Sequence, residues 1–242
     1  MSRKSRMNDV RNAEAKALAE KQRKNRWIMI AVAAAAVVAL IIGAIALGSG
    51  SSRTPANTTA PTAAPTEVPA IVPEASHWVE IEIAGYGTIT AELYSNIAPI
   101  TVANFVKLAN EGFYSGLTFH RIIDGFMIQG GDPNGDGSGG SPESIKGEFN
   151  SNGVYNPIKH ERGVLSMART YIPDSASSQF FIMHQNSPWL DGEYAAFGRV
   201  LTGIEIVDAI CADTPVVDGN GTVLKNNQPV ITAVRVIDKP AE

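Results

Sequence analysis

In "FHRIIDGFMIQGGD", Phe119 to Asp132, a single guanidinium and a single amide stand among mostly apolar side chains. The stretch reads as two short strands around a turn at Asp124-Gly125, with Arg121 inside the first and Gln129 inside the second. An arginine is permanently charged and forked, and apolar neighbours limit competition from water. Chemistry of that kind is electrostatic: a fixed donor stabilises a charge distribution that no nucleophile has attacked. Taken alone, Arg121 could equally be a strand residue paired with Asp124 or another acid. Both readings stand at this point.

Other chemistries are poorly supported. The histidines at 77, 120, 160 and 184 show no ligand spacing, so no catalytic zinc site is expected. The single cysteine, Cys211, excludes an intramolecular disulfide and argues against a thiolate metal site. There is no G-x-S-x-G elbow. "GDGSGG" matches G-x-G-x-x-G but leads into Ser-Pro and a polar stretch, not an apolar helix. "DPNGDGSGGSPE", Asp132 to Glu143, has the ligand order of a calcium loop. Its frame is wrong, because a strand precedes it and Pro142 stands where an exiting helix should begin. No metal is expected.

The elements that must position Arg121 are short strands. "WVEIEI" and "TITAEL" alternate apolar and polar residues around an "AGYG" turn. "ITVANFVKLANEG" changes to a helical period, with Thr101 as the expected N-cap and Gly112 as the stop. Strands follow at "LTFHRII", "FMIQG", "GVLSMA", "SQFFIMH" and "AAFGRVL". A second helix, "GIEIVDAICAD", places Ile204, Val207, Ile210 and Cys211 on one stripe, and "PVITAVRVI" ends the chain as a strand. About eight strands and two helices predict a mainly β fold, a closed antiparallel barrel capped by the helices.

The first 76 residues are of another kind. Residues 1–26 carry nine Lys/Arg against three Asp/Glu, a local +6, whereas residues 77–242 carry ten against nineteen, a local −9. The uncharged run Trp27 to Leu47 has 21 residues, about 32 Å as a helix and enough for a bilayer core. It is too long for the apolar core of a cleaved signal. An uncleaved anchor at 27–47 is expected, with the basic tail 1–26 cytoplasmic and everything C-terminal outside the cytoplasm. That role for the tail leaves no expectation of nucleic-acid binding. Residues 48–76 carry prolines at 55, 61, 65, 69 and 73 and read as a disordered tether reaching roughly 30–90 Å. Asn57 and Asn220 occupy glycosylation sequons. The globular part is 77–242.

Three blocks, "GFYSGLTFHRIIDGFMIQGGD", "GVLSMARTYIPDSASSQFFIMH" and "WLDGEYAAFGRV", resemble the signature blocks of cyclophilin-type peptidyl-prolyl cis-trans isomerases. The likeness runs from about His77 to the end and includes the non-apolar positions. It implies an eight-stranded barrel with two capping helices, and rotation about X–Pro peptide bonds. That rotation faces a barrier of about 18–20 kcal/mol from amide resonance. Lowering the barrier needs an apolar socket for the pyrrolidine ring and a donor to the prolyl nitrogen, which becomes a better acceptor only when twisted. It needs no cofactor.

By this resemblance Arg121 is the donor. Gln129 and Gln179 orient it or hold the substrate backbone. Phe126, Met127, Phe181 and Leu190 form the socket. Main-chain groups around Ala168, Arg169 and Thr170 pair with an extended peptide, Gly137 touches substrate, and Trp189 rims the site. Tyr194 replaces the family's frequent His, and Arg169 its frequent Asn. The loop before Gly137 is about one residue shorter than in the common animal form. A tryptophan at 189 is the form associated with cyclosporin, so cyclosporin-like ligands join proline-containing polypeptides as expected partners. The competing function is a membrane-tethered holdase that grips proline segments, with turnover incidental.

Overall fold

The computed structural model describes residues 71–241. The basic tail, the anchor at 27–47 and the tether up to residue 70 lie outside the described residues. Among the described residues no helix is long and apolar enough to cross a membrane. From Val72 the chain is already held against the domain: Asn96 Nδ2 donates to the Val72 carbonyl at 2.7 Å and Ser76 N–H to the Leu93 carbonyl at 2.8 Å.

The period-two segments all become strands. These are β1 (His77–Ile83), β2 (Gly87–Leu93), β3 (Thr118–Ile123), β4 (Met127–Asp132), β5 (Val164–Met167), β6 (Phe180–Met183), β7 (Ala196–Thr202) and β8 (Ile231–Ile237). They form one antiparallel sheet in the order β3-β4-β6-β5-β7-β2-β1-β8, curled into a half-barrel. Alternation sets the inner face. Val79, Ile81 and Ile83 of β1 and Ile89, Ala91 and Leu93 of β2 are all buried. Phe105, Tyr114, Phe119, Phe180 and Phe197 fill the interior, with Phe105 edge-on to Phe180 at 5.3 Å between ring centroids.

The expected full closure is replaced by a seam. The outer strands β3 and β8 meet at a Thr118–Val230 bridge, flanked by bonds from Gly116 N–H to the Ile231 carbonyl and from Phe119 N–H to the Pro229 carbonyl. Pro229 has no N–H to return, so a regular ladder cannot continue through it.

Two helices pack on the sheet: α1 (Pro99–Asn110) against β8, and α2 (Ile204–Asp213) against β2 and β3. Thr101 is not the N-cap. Ala98 is, Pro99 opens the helix, and Thr101 is buried in its first turn. The first amides are satisfied from a distance, because the buried Glu148 carboxylate accepts from Ile100 N–H at 3.0 Å and Thr101 N–H at 2.7 Å. A carboxylate there also complements the helix dipole. Gly112 ends α1 at a φ of 70°. On α2 the buried stripe is Ile206, Val207 and Ile210, with Ile204 and Cys211 at its margin.

Candidate active site

Because side chains alternate, each strand that buries one residue inside offers its neighbour outside. Phe180 and Ile182 point into the interior, while Phe181 and Met183 belong to a second apolar cluster with Met127, Val164, Leu190 and Ala196. Phe126, Ala168, Tyr194 and Ile123 pack against that cluster. Ile123 is therefore on the outer face with this group.

Register brings the polar residues beside the cluster. Arg121 pairs with Gln129 across β3 and β4, Gln129 with Phe181 across β4 and β6, and Phe181 with Ser166 across β6 and β5. The row below runs Ile123, Met127, Met183. The two glycines after Gln129 allow this close assembly. A Cβ on Gly130 would stand 2.8 Å from the Thr118 carbonyl oxygen, and one on Gly131, whose φ is 82°, would stand 2.5 Å from that of Ser178.

Arg121 does not pair with Asp124. Its Nε donates to the backbone carbonyl of Asn220 at 2.9 Å, Nη2 to Asn220 Oδ1 at 3.2 Å, and Nη1 to Gln129 Oε1 at 3.2 Å. The chain of bonds continues from Gln129 Nε2 to Gln179 Oε1 at 2.9 Å, and from Gln179 Nε2 to the carbonyls of Gly137 and Gly139 at 3.0 and 2.7 Å. Partial burial lowers the Arg121 pKa from its ordinary value, opposed by Tyr194 and Asp218. The group remains a cation at any physiological pH.

These residues line a groove of about 740 Å³. Arg121, Gln129, Phe126, Met127, Gly137, Ala168, Arg169, Phe181, Leu190 and Tyr194 all face it. A smaller lobe of about 280 Å³ shares Gln129, Gly137, Ala168 and Arg169 with it and adds Thr170 and Gln179. Trp189 stands outside the groove lining, 65% exposed, with its ring 5.9 Å from that of Phe126. The Arg169 guanidinium is not free for a ligand. It lies 4.8 Å from the Phe149 ring and 4.7 Å from the Tyr194 ring, and it donates to the carbonyls of Glu193 and Thr170. Arg169 thus fixes the Tyr194 ring, which meets Phe181 edge-on at 5.9 Å.

The calcium reading of Asp132 to Glu143 fails on geometry. The buried Asp132 carboxylate already accepts from the amides of Asn134, Asp136 and Gly137, so it organises its own loop. Glu143 pairs instead with Lys107 on α1 at 3.5 Å.

Two contributors escape a reading of the sequence. Asn220 sits 99 positions from the arginine it holds. His160 is buried beneath Phe181, its ring stacked at 6.1 Å, and is fixed by Ser166 Oγ at 3.0 Å and Asp191 Oδ1 at 3.2 Å. Burial lowers its pKa, with the Asp191 hydrogen bond opposing, so the ring under the socket is neutral. No short-range pattern marks either residue for this role.

The family model described as cyclophilin type peptidyl-prolyl cis-trans isomerase/CLD matches residues 78–236. Peptidyl-prolyl cis-trans isomerase B of Bacillus subtilis is 54% identical over 117 residues, covering 48% of this chain and 78% of its own. A peptidyl-prolyl cis-trans isomerase of Helicobacter pylori is 47% identical over 126 residues, covering 51% and 75%. A cyclophilin type isomerase of Cryptosporidium parvum has a similar fold, with a TM-score of 0.60 and 32% identity over 68% of this chain and 99% of that one. A second crystal structure of it was obtained in the presence of the dipeptide Ala-Pro. The matched span holds the whole groove, its guanidinium and its apolar floor, and the chain belongs to the cyclophilin-type peptidyl-prolyl cis-trans isomerases.

Proposed function

We propose that the domain rotates X–Pro bonds of polypeptides outside the cytoplasm, with Arg121 hydrogen bonding to the prolyl nitrogen, while residues 27–47 hold it to a membrane. The proline ring rests on Phe126, Met127, Phe181 and Leu190. As the imide twists, resonance is lost and the nitrogen lone pair localises. A guanidinium N–H placed there binds the twisted state more tightly than either planar isomer, which lowers the barrier.

The observation that carries this reading is how Arg121 is held. Its three hydrogen bonds among the described residues leave two of the five N–H groups of a guanidinium for a ligand in the groove. Gln129 fixes the direction of Nη1 and is itself fixed by Gln179. Water is kept from one side by the apolar cluster, which strengthens the field at the nitrogen. Cyclosporin-like ligands would take the same groove, with Trp189 on its rim. The Ala-Pro dipeptide used with the Cryptosporidium parvum protein is the chemistry the socket is shaped to take.

The test has two arms. The full chain in detergent should accelerate cis-trans exchange of an Ala-Pro tetrapeptide, followed by NMR exchange spectroscopy, and exchange at the uncatalysed rate would end the catalytic reading. In cells expressing the full chain, carbonate-washed membranes should retain it, with the domain open to protease from the non-cytoplasmic side. A chain found in the soluble fraction would end the tether reading.

A further inference from the structure

Away from the groove, three segments bring ligand-type side chains together. Asp124 lies in the β3–β4 turn, His184 just beyond β6 and Cys211 on α2, and one donor atom of each lies within 4.8 Å of the others. His184 Nδ1 is 3.4 Å from Asp124 Oδ1. Its Nε2 is 3.0 Å from Asp208 Oδ1, and the other Asp208 oxygen accepts from Arg162 Nη2 at 2.7 Å. A carboxylate on the far nitrogen fixes the tautomer, so the proton sits on Nε2 and Nδ1 presents its lone pair. This is how metal-binding imidazoles are usually held. Gly125 N–H donates to Nδ1 at 2.9 Å, but the Asp124 carboxylate also faces that lone pair, an arrangement that a cation between them relieves. Burial, with Asp124 and Asp208 adding to it, pushes the Cys211 thiol up to about 12.

We propose that Asp124, His184 and Cys211 form a three-ligand site for a zinc-class divalent ion, with a fourth position open to water. One sulfur, one imidazole nitrogen and one carboxylate oxygen suit a tetrahedral ion of intermediate softness. Ligand bonds of about 2.0–2.3 Å set neighbouring ligands roughly 3.3–3.8 Å apart. The Asp124–His184 pair already has that spacing at 3.4 Å, and the Cys211 sulfur lies within 4.8 Å of both donor atoms. On binding, the S–H bond gives its proton to solvent and a sulfur–metal bond replaces it. Gly125 N–H releases Nδ1. The ion joins the hairpin turn to α2, and its route to the groove is short, since His184 N–H donates to the Phe126 carbonyl at 2.9 Å.

The full chain, stripped of metal and held in detergent, tests this by titration with Co²⁺ as an optical probe. One equivalent should produce a thiolate-to-cobalt charge-transfer band, Zn²⁺ should displace it, and both ions should raise the melting temperature of the wild-type chain. Cys211→Ser should lose the band. Asp208→Asn, which loosens the imidazole and the Arg162 pair but removes no proposed ligand, should keep the band and weaken binding by about 10–100-fold. Circular dichroism melts of each variant establish that it is folded. A folded wild-type chain that gives no thiolate band, or Zn²⁺ affinity equal in wild type and Cys211→Ser, would overturn the site and leave His184 held only by Gly125 and Asp208.

Discussion

Arg121 is clasped by Asn220 at two points, the backbone carbonyl on Nε at 2.9 Å and the side-chain oxygen on Nη2 at 3.2 Å. The loop that carries Asn220 is itself tied to β3, since Ile122 N–H donates to the Gly221 carbonyl at 2.8 Å. The guanidinium is therefore aimed by two segments, and its direction is a property of the tertiary fold.

Asn220→Ala removes the side-chain contact and keeps the carbonyl. We expect kcat/KM to fall about 3–10-fold, the worth of one partly exposed hydrogen bond to a charge, with the melting temperature nearly unchanged. Wild-type kinetics in the peptide exchange assay would mean that the backbone contact alone suffices.

Gln129→Leu cuts the relay between Arg121 and Gln179. Gln179 stays placed by the Gly137 and Gly139 carbonyls, so the loss should fall on kcat more than on KM, by roughly tenfold. Equal loss in both would put Gln129 on the substrate backbone instead. Saturation kinetics with a proline tetrapeptide separates the two.

Acid should weaken the fold through two histidines. Burial lowers the pKa of His120, with the Asp132 charge opposing, and that of His160, with Asp191 opposing. Each is neutral when folded and binds a proton more readily when unfolded. Their contribution is complete above the unfolded value of about 6.5 and is lost as pH falls from there toward the lowered folded values. Thermal melts from about pH 7 to 5 should show falling midpoints. His120→Leu should flatten that slope, because neither ring nitrogen of His120 has a partner among the described residues. An unchanged slope would place the acid sensitivity elsewhere.

Much of this is legible in the sequence itself. The resemblance of "SQFFIMH" to a family block singles out Phe181 for the groove where the unbroken apolar run could not, and the odd polar residues of "FHRIIDGFMIQGGD" raise the question of a face that is used. What was hidden is what depends on distant segments. Thr101 has the chemistry of an N-cap, but Pro99 starts the helix two residues earlier and Glu148 reaches in from another loop. Asn220 looks like a turn residue in "DGNGT". The calcium pattern at Asp132 has correct spacing, yet spacing cannot reveal that backbone amides already occupy the carboxylate. The seam at Pro229 follows from one missing N–H, legible only once Pro229 is known to face β3.

The central claim is that one guanidinium beside an apolar floor lowers the barrier to rotation about an X–Pro bond. The most direct measurement is kcat/KM of Arg121→Ala in a protease-coupled isomerisation assay, with Arg121→Lys beside it. A loss on the order of 10²–10³ is expected for alanine, about 3–4 kcal/mol, with a largely unchanged melt and only partial recovery by lysine, which lacks the fork held by Gln129 and Asn220. Alanine activity near that of wild type would contradict the account.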